Sequence, residues 1–86
     1  MYKLKYHKRV VKFINSRTPQ EKKKIKDKFI QLMENPYPTN TQIDVKNMVN
    51  KNGYRLRVGN YRFIYDIVEN ELIIYVEYAG NRGDIY

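Results

Sequence analysis

The chain is 86 residues long, which suits one domain with a single core, so residues 1–86 are interpreted as one domain. It contains no cysteine, which excludes disulfides, thiolate metal sites and cysteine nucleophiles and favours a cytoplasmic location. The first residues lack the apolar run of a signal peptide, and no stretch approaches the roughly 20 apolar residues of a membrane span. A net charge of +8 favours a polyanionic partner, which could be a nucleic acid, an acidic protein or an anionic membrane.

The first half of the sequence predicts a strand followed by a helical hairpin. Apolar residues alternate with lysines over residues 2–6, which is typical of a half-buried strand, and apolar residues at helical spacing predict a first helix over residues 7–16. Thr18, a following proline and Glu21 have the spacing of a capping box. A second helix therefore begins after Thr18, and Asn35, which precedes a proline, ends it.

The second half predicts an antiparallel meander. Residues 53–58 and 61–67 have the composition of strands joined by a tight glycine-asparagine turn, and residues 72–78 add a further strand. Residues 43–49 are compatible with a short strand or with an irregular crossing, and both alternatives stay open. The predicted fold class is α+β, with the N-terminal helical hairpin packed on a mainly antiparallel sheet.

Three arginines fall on one face of the predicted strand hairpin. If Gly59 and Asn60 form its turn, Arg57 lies directly opposite Arg62, and Arg55 lies on the same face. The other face then carries six residues that are predicted to form core, namely Tyr54, Leu56, Val58, Tyr61, Phe63 and Tyr65. Because like charges that are opposed on neighbouring strands repel, this arrangement indicates a bound anion.

A row of salt bridges is the alternative explanation. A two-residue turn at Glu69 and Asn70 would put Arg62 beside Glu77, whose carboxylate would neutralise part of the charge. Exposed ion pairs contribute only about 0–1 kcal/mol, so a bridge of this kind would not by itself explain three clustered arginines.

Further residues extend the candidate site. Glycines near the end of the chain allow it to turn and carry Arg82 and Tyr86 back over the arginine face, although a terminal tyrosine can also serve packing alone. Lysines on the second helix are either a solvated face or contacts to the phosphates of a nucleic acid. If the polyanionic partner is a nucleic acid, the candidate lysines that bind it are Lys22, Lys23, Lys26 and Lys46.

The sequence resembles the RelE branch of the RelE/ParE toxin superfamily over nearly its whole length. Residues 53–65 are similar to the family's basic strand, glycine turn and YR-x-x-Y strand, and residues 79–86 are similar to its G-x-R…(V/I)-Y ending. The resemblance implies a RelE-like fold, with a helical hairpin on a twisted antiparallel sheet. It also implies a type II toxin that cleaves mRNA in the ribosomal A site without a metal or another cofactor.

The resemblance assigns roles to single residues. The matching positions are Arg55, Arg57 and Arg62 on the sheet, Arg82 near the C-terminus and the terminal Tyr86. In RelE-type enzymes the ribose 2′-hydroxyl attacks the adjacent phosphorus, so Arg57, Arg62 and Arg82 would bind phosphate oxygens, and Tyr86 would be the general base. The best-known members carry lysines where this chain has Arg55 and Arg57. A guanidinium hardly releases its proton, which leaves the acid step to water or to electrostatics alone.

Two other functions stay open at the level of sequence. A ParE-like toxin shares the fold and inhibits DNA gyrase, although such toxins generally lack this full set of basic residues and tyrosine. The second alternative is a catalytically inactive module that binds RNA or an antitoxin. It stays open because this chain lacks the lysines that the best-known members carry at positions 55 and 57. The partners implied by the resemblance are a cognate antitoxin, the ribosome and mRNA, with no membrane and no small-molecule cofactor.

Overall fold

The chain begins as an edge strand and passes through two helices before it enters the main part of the sheet. The structure is a computed structural model that describes residues 1–49 and 52–81. In chain order the elements are β1 (Lys3–Tyr6), α1 (Lys8–Asn15), α2 (Pro19–Glu34), β2 (Asp44–Asn47), β3 (Tyr54–Val58), β4 (Tyr61–Val68) and β5 (Ile73–Asn81). A short 3₁₀ turn, Glu69–Glu71, connects β4 to β5. The predicted α+β class with two N-terminal helices is confirmed.

These strands form one sheet in the order β1-β5-β4-β3-β2. β1 pairs with β5 in parallel, and the other neighbours are antiparallel. Short turns join β3 to β4 and β4 to β5, so these pairs are antiparallel, whereas the parallel pair joins the first and the last strand of the chain. The segment that the sequence left open contains β2, an edge strand paired with β3.

Both helices begin at side-chain caps. Thr18 Oγ1 accepts a hydrogen bond from the backbone N–H of Glu21 at 3.2 Å, and Glu21 Oε1 accepts one from the backbone N–H of Thr18 at 3.1 Å. This reciprocal pair is the predicted capping box, and it satisfies N–H groups that would otherwise lack helical partners. His7 caps α1, and Asn35 ends α2 as predicted. Of the described helices, neither is long and apolar enough to cross a membrane.

The core lies between the helix pair and one face of the sheet. Val10 of α1 and Leu32 of α2 are completely buried against sheet residues such as Leu56 and Phe63. This confirms the predicted apolar face of the strand hairpin. Its buried members are Leu56, Val58, Phe63 and Tyr65, and its partly buried members are Tyr54 and Tyr61.

A shared carboxylate fastens the end of the sheet that lies away from the β3-β4 turn. Glu69 accepts hydrogen bonds from the hydroxyl of Tyr2, at 2.8 Å to Oε1, and from the hydroxyl of Tyr37. The N-terminus, the loop after α2 and the β4-β5 turn are thereby tied together. The Tyr37 and Tyr2 hydroxyls stabilise the charged carboxylate and so lower the pKa of Glu69 below its usual value.

The turn into β3 requires a glycine. Gly53 has a φ of +108°, and a Cβ at this position would lie 2.9 Å from Asp66 Oδ1 and 3.0 Å from the carbonyl oxygen of Tyr65. We therefore expect Gly53→Ala to lower the free energy of unfolding by about 1–3 kcal/mol in urea denaturation. Gly59→Ala is the matched control, because its φ is +57° and its nearest neighbour is Lys24 Nζ at 3.8 Å. Equal losses in the two variants would contradict the steric explanation.

The Glu69 contacts predict a dependence of stability on pH. Since folding lowers the pKa of this carboxyl, its contribution is complete above the unfolded-state pKa and disappears as pH falls through the folded-state pKa. We expect Glu69→Gln to be less stable than the wild type at neutral pH and to approach it in acid. Urea denaturation across pH measures the difference, with the exposed Glu71→Gln as a charge-matched control. A stability difference that is constant from neutral to acidic pH would argue against this linkage.

Candidate active site

Arg55, Arg57 and Arg62 lie on the sheet face opposite the helices, as the sequence predicts. The register of β3 and β4 places Arg57 opposite Arg62. The side chain of Arg57 is 33% exposed, whereas that of Arg55 is only 8% exposed. Arg57 is therefore accessible to a ligand, while Arg55 is largely enclosed by its neighbours.

An acid that sequence reasoning missed lies between two of these arginines. Asp44 begins β2 and is the cross-strand neighbour of Arg57. Its Oδ1 accepts a hydrogen bond from Arg55 Nη2 at 3.1 Å, and its Oδ2 lies 3.8 Å from Arg57 Nη1. The buried residues Ile43 and Val45 flank it with the alternation of a strand, which is the signal that could have found it. Pairing of that strand with β3 would then have brought Asp44 to the arginines.

β2 also brings a predicted lysine to this surface. Lys46 is exposed and lies opposite Arg55 in the register of β2 and β3. Of the four lysines predicted to contact RNA, it is the one that shares a sheet face with the arginines. We call the surface formed by Asp44, Lys46, Arg55, Arg57 and Arg62 the basic face.

The guanidinium of Arg57 retains donor capacity for a ligand. Its Nε is shielded from solvent and finds no acceptor in the described parts of the chain. Because solvent does not reach this Nε, a ligand oxygen would meet the exposed remainder of the side chain, which is 33% accessible. A shallow depression at Arg57 is lined by polar and apolar residues, namely Lys28, Thr41, Gln42, Ile43, Asp44, Val58 and Gly59. The ammonium and guanidinium groups of this lining match the oxygens of a phosphate.

The other three predicted lysines lie on α2, on the helix side of the sheet. Lys22 and Lys26 border an apolar groove between β1 and the helices, while Lys23 lines a polar groove elsewhere on α2. Lys28 lines both that polar groove and the depression at Arg57. It therefore connects the surface of α2 to the basic face, although the sequence analysis did not select it as an RNA contact.

The predicted pairing of Arg62 with Glu77 is wrong. Arg62 lies opposite Gly80 instead, which shifts the register by three residues. The connection from β4 to β5 is longer than the two-residue turn assumed from the sequence, because Val68 pairs with Ile73. A bulge between the same strands adds the remaining shift. Glu77 is consequently not the cross-strand neighbour that neutralises Arg62.

Contacts from the helices hold the start of β4, next to Arg62. The hydroxyl of Tyr61 donates a hydrogen bond to Glu21 Oε2 at 2.5 Å, and this bond lowers the pKa of Glu21. The guanidinium of Arg17 lies 5.1 Å from the centre of the Tyr61 ring and 4.3 Å from that of Phe13. Since Glu21 also closes the capping box, one carboxylate fixes the beginning of α2 and the beginning of β4.

The predicted tail residues, Arg82 and Tyr86, lie outside the described residues. The description ends at Asn81, which pairs with Tyr61, directly after Gly80, which pairs with Arg62. β5 therefore brings the chain to the position beside Arg62 immediately before the tail. The roles of Arg82 and Tyr86 stay predictions.

The fold and the basic face together define a class of protein. The chain is similar to a chain of the archaeal RelE-RelB complex from Pyrococcus horikoshii OT3, with a TM-score of 0.82, 26% identity and 98% of each chain covered. It also matches the isolated Escherichia coli RelE toxin with a TM-score of 0.75 and 17% identity, over 99% of this chain and 88% of the toxin. The class is that of small basic proteins with the RelE-like fold.

Comparison at the level of sequence specifies the family. The model described as "ParE toxin of type II toxin-antitoxin system, parDE" matches residues 4–86. The protein named "Putative toxin RelE1" of Methanocaldococcus jannaschii is 29% identical over 86 residues, which cover 99% of this chain and 94% of the relative. The chain belongs to the RelE/ParE toxin family of type II toxin-antitoxin systems. The resemblance inferred from the sequence is thereby confirmed.

The two arginines of β3 are expected to differ in their effect on stability. Arg55→Ala removes an enclosed side chain and its ion pair with Asp44, so we expect the free energy of unfolding to fall by about 1–3 kcal/mol. Arg57→Ala removes a more exposed side chain and relieves repulsion with Arg62, so we expect a change within about 0.5 kcal/mol. Urea denaturation of both variants checks this. A larger loss for Arg57→Ala than for Arg55→Ala would contradict the assignment.

Proposed function

We propose that this toxin is a ribosome-dependent endoribonuclease that inhibits translation by cleaving mRNA in the ribosomal A site. The observation that carries the proposal is the opposition of Arg57 and Arg62 on one face of the sheet. Asp44 lies beside Arg57 at one edge of this pair, and an RNA phosphodiester would add negative charge next to both guanidiniums. The proposed site of action is the cytoplasm, where translating ribosomes are found.

The proposed reaction is attack of a ribose 2′-hydroxyl oxygen on the adjacent phosphorus. The P–O bond to the 5′-oxygen breaks, leaving a cyclic phosphate, and that oxygen takes up a proton. Arg57, Arg62 and Arg82 are proposed to bind the phosphate oxygens and to stabilise the additional negative charge of the phosphorane. Tyr86 is proposed to remove the proton of the 2′-hydroxyl, because neighbouring guanidiniums favour a phenolate.

Arg55 is proposed to contribute positive charge rather than a proton. Its side chain is 8% exposed and is bonded to Asp44, which supports a role behind the residues that touch RNA. A guanidinium keeps its proton at any working pH, so water is the proposed donor to the leaving 5′-oxygen.

We also propose that a cognate antitoxin neutralises this toxin. The similar structure from Pyrococcus horikoshii is a RelE-RelB complex, and a second similar Escherichia coli structure is the intact RelBE toxin-antitoxin complex. A net charge of +8 favours binding of an acidic antitoxin segment to the basic face. The positive charge also favours binding to ribosomal RNA. The proposed phosphate contacts are Lys22, Lys23 and Lys26 on α2 together with Lys46 on the opposite side of the sheet.

Single-turnover cleavage of mRNA on programmed ribosomes tests the proposed function. We expect Arg57→Ala or Arg62→Ala to slow cleavage by about 100-fold or more, because each removes a donor to the phosphorane. Arg82→Ala and Tyr86→Phe are expected to abolish cleavage. Primer extension on the mRNA maps the cut.

The control for these variants is Arg9→Ala. Arg9 lies on α1, and its side chain contacts His7. Its substitution lowers the net charge by the same amount without changing the basic face. Wild-type rates in the Arg57 and Arg62 variants would reject the proposed site. Tight binding of RNA by the wild type with no cut in a single turnover would instead support a catalytically inactive module.

Inhibition of DNA gyrase is a second candidate, favoured by the ParE description of the matching family model. A gyrase supercoiling assay separates the candidates. The nuclease proposal expects unaffected supercoiling together with cut mRNA. Inhibited supercoiling with intact mRNA would favour the second candidate.

A further inference from the structure

We propose that Asp44 is a positioning residue of the basic face: it fixes Arg57 for the RNA phosphate and sets how much positive charge the phosphate meets. This inference rests on the proposed nuclease function and deepens it. Asp44 belongs to β2, an edge strand that the sequence alone left unassigned. Its role follows from where the pairing of β2 with β3 puts its carboxylate.

The carboxylate of Asp44 is shared between two guanidiniums. Oδ1 accepts a hydrogen bond from Arg55 Nη2 at 3.1 Å, while Oδ2 faces Arg57 Nη1 at 3.8 Å. Arg57 is the direct cross-strand neighbour of Asp44, and Arg55 is the diagonal one. One acid on the edge strand therefore orients both arginines of β3.

The two contacts give the arginines different tasks. Arg55 is enclosed and forms the shorter contact with Asp44, so this pair anchors the carboxylate itself. Arg57 is more exposed and has only the longer contact, and its Nε lacks an acceptor in the described residues. Asp44 thus faces one Nη of Arg57 across an ion pair, while the exposed part of the side chain stays available to a phosphate oxygen.

Asp44 also offsets the repulsion that the register creates. Asp44, Arg57, Arg62 and Gly80 occupy successive positions across β2, β3, β4 and β5, so a single carboxylate stands at the edge of the opposed arginines. The same negative charge weakens the attraction of the basic face for RNA. The side chain of Asp44 is 46% exposed, so an incoming phosphate meets this charge directly.

A split between affinity and rate follows from these two effects. Removal of the charge strengthens binding of the ground-state RNA, whereas loss of the restraint on Arg57 weakens its alignment on the reacting phosphorus. An acid with a merely structural role would lower binding and cleavage together, in proportion to the loss of folded protein. The opposite direction of the two changes is therefore the signature of a positioning residue.

The binding test uses the full chain and a short single-stranded RNA whose 2′-hydroxyls are methylated, so that cleavage cannot occur. We expect Asp44→Asn to bind this RNA about 3–10-fold more tightly than the wild type at low salt. The dependence of log K on log salt is expected to steepen by up to about 0.7, equivalent to one additional phosphate contact. The Arg57 Nε–H resonance in ¹⁵N NMR is expected to shift, because the carboxylate charge beside its guanidinium is removed.

The rate test compares the same variants in single-turnover cleavage on programmed ribosomes. Asp44→Asn is expected to cleave about tenfold more slowly despite its tighter binding. Asp44→Glu keeps the charge and is expected to restore the wild-type affinity and part of the rate. Glu71→Gln removes an equal charge from the exposed turn after β4 and is expected to change neither quantity.

Each outcome decides the inference separately from the nuclease proposal. If Asp44→Asn equals Glu71→Gln in affinity, NMR shift and rate, the role of Asp44 is overturned while the nuclease stands. Binding and cleavage that fall together with the unfolding midpoint would show a structural ion pair only, and Asp44→Glu would then separate charge from folding. If the wild type cuts no mRNA but the affinity and NMR changes occur, the nuclease proposal fails and the charge-setting role of Asp44 remains.

Discussion

The alternation of side chains along β3 and β4 is the constraint on which the rest of the structure depends. Leu56 and Phe63 are opposed on the core face, and Arg57 and Arg62 are opposed one position further along, on the other face. A slip of one residue would exchange these two faces and bury guanidiniums against the helices. The hydrophobic core therefore fixes the position of the charges. The favourable free energy of burying the apolar neighbours outweighs the repulsion between the arginines.

The remaining elements hold this hairpin in a single arrangement. At the turn end, Glu21 joins the capping box of α2 to the hydroxyl of Tyr61, beside Arg62. At the other end of the sheet, Glu69 gathers the hydroxyls of Tyr2 and Tyr37. Both carboxylates connect segments that are distant in sequence, so side-chain hydrogen bonds at the two ends of the sheet reinforce the packing of its centre. A rigid sheet suits a site in which several positively charged side chains must keep fixed positions.

The parts of the fold that local signals determine could be predicted from the sequence. The spacing of Thr18 and Glu21 placed the start of α2, and the turn at Gly59 fixed the register of Arg57 and Arg62. The neighbour of Arg62 on β5 could not be predicted, because the length of the β4-β5 connection and the bulge change the register without a distinctive residue pattern. The contact of Asp44 with the arginines could not be predicted for a related reason. Its strand spans only four residues, and nothing local indicates that it pairs with β3.

The presence of arginine at positions 55 and 57 is consistent with a carboxylate in the same surface. A guanidinium has five donors arranged in a plane, so Arg57 can face Asp44 with one Nη and still present its exposed edge to a phosphate. A lysine is a single compact charge, and a neighbouring aspartate would compete with the phosphate for it. Arginine is the poorer proton donor, but it is better able to bind a carboxylate and a phosphate at the same time. In the proposed nuclease, these arginines would therefore bind and orient the phosphodiester, and proton transfer would fall to groups outside the pairs formed by Asp44.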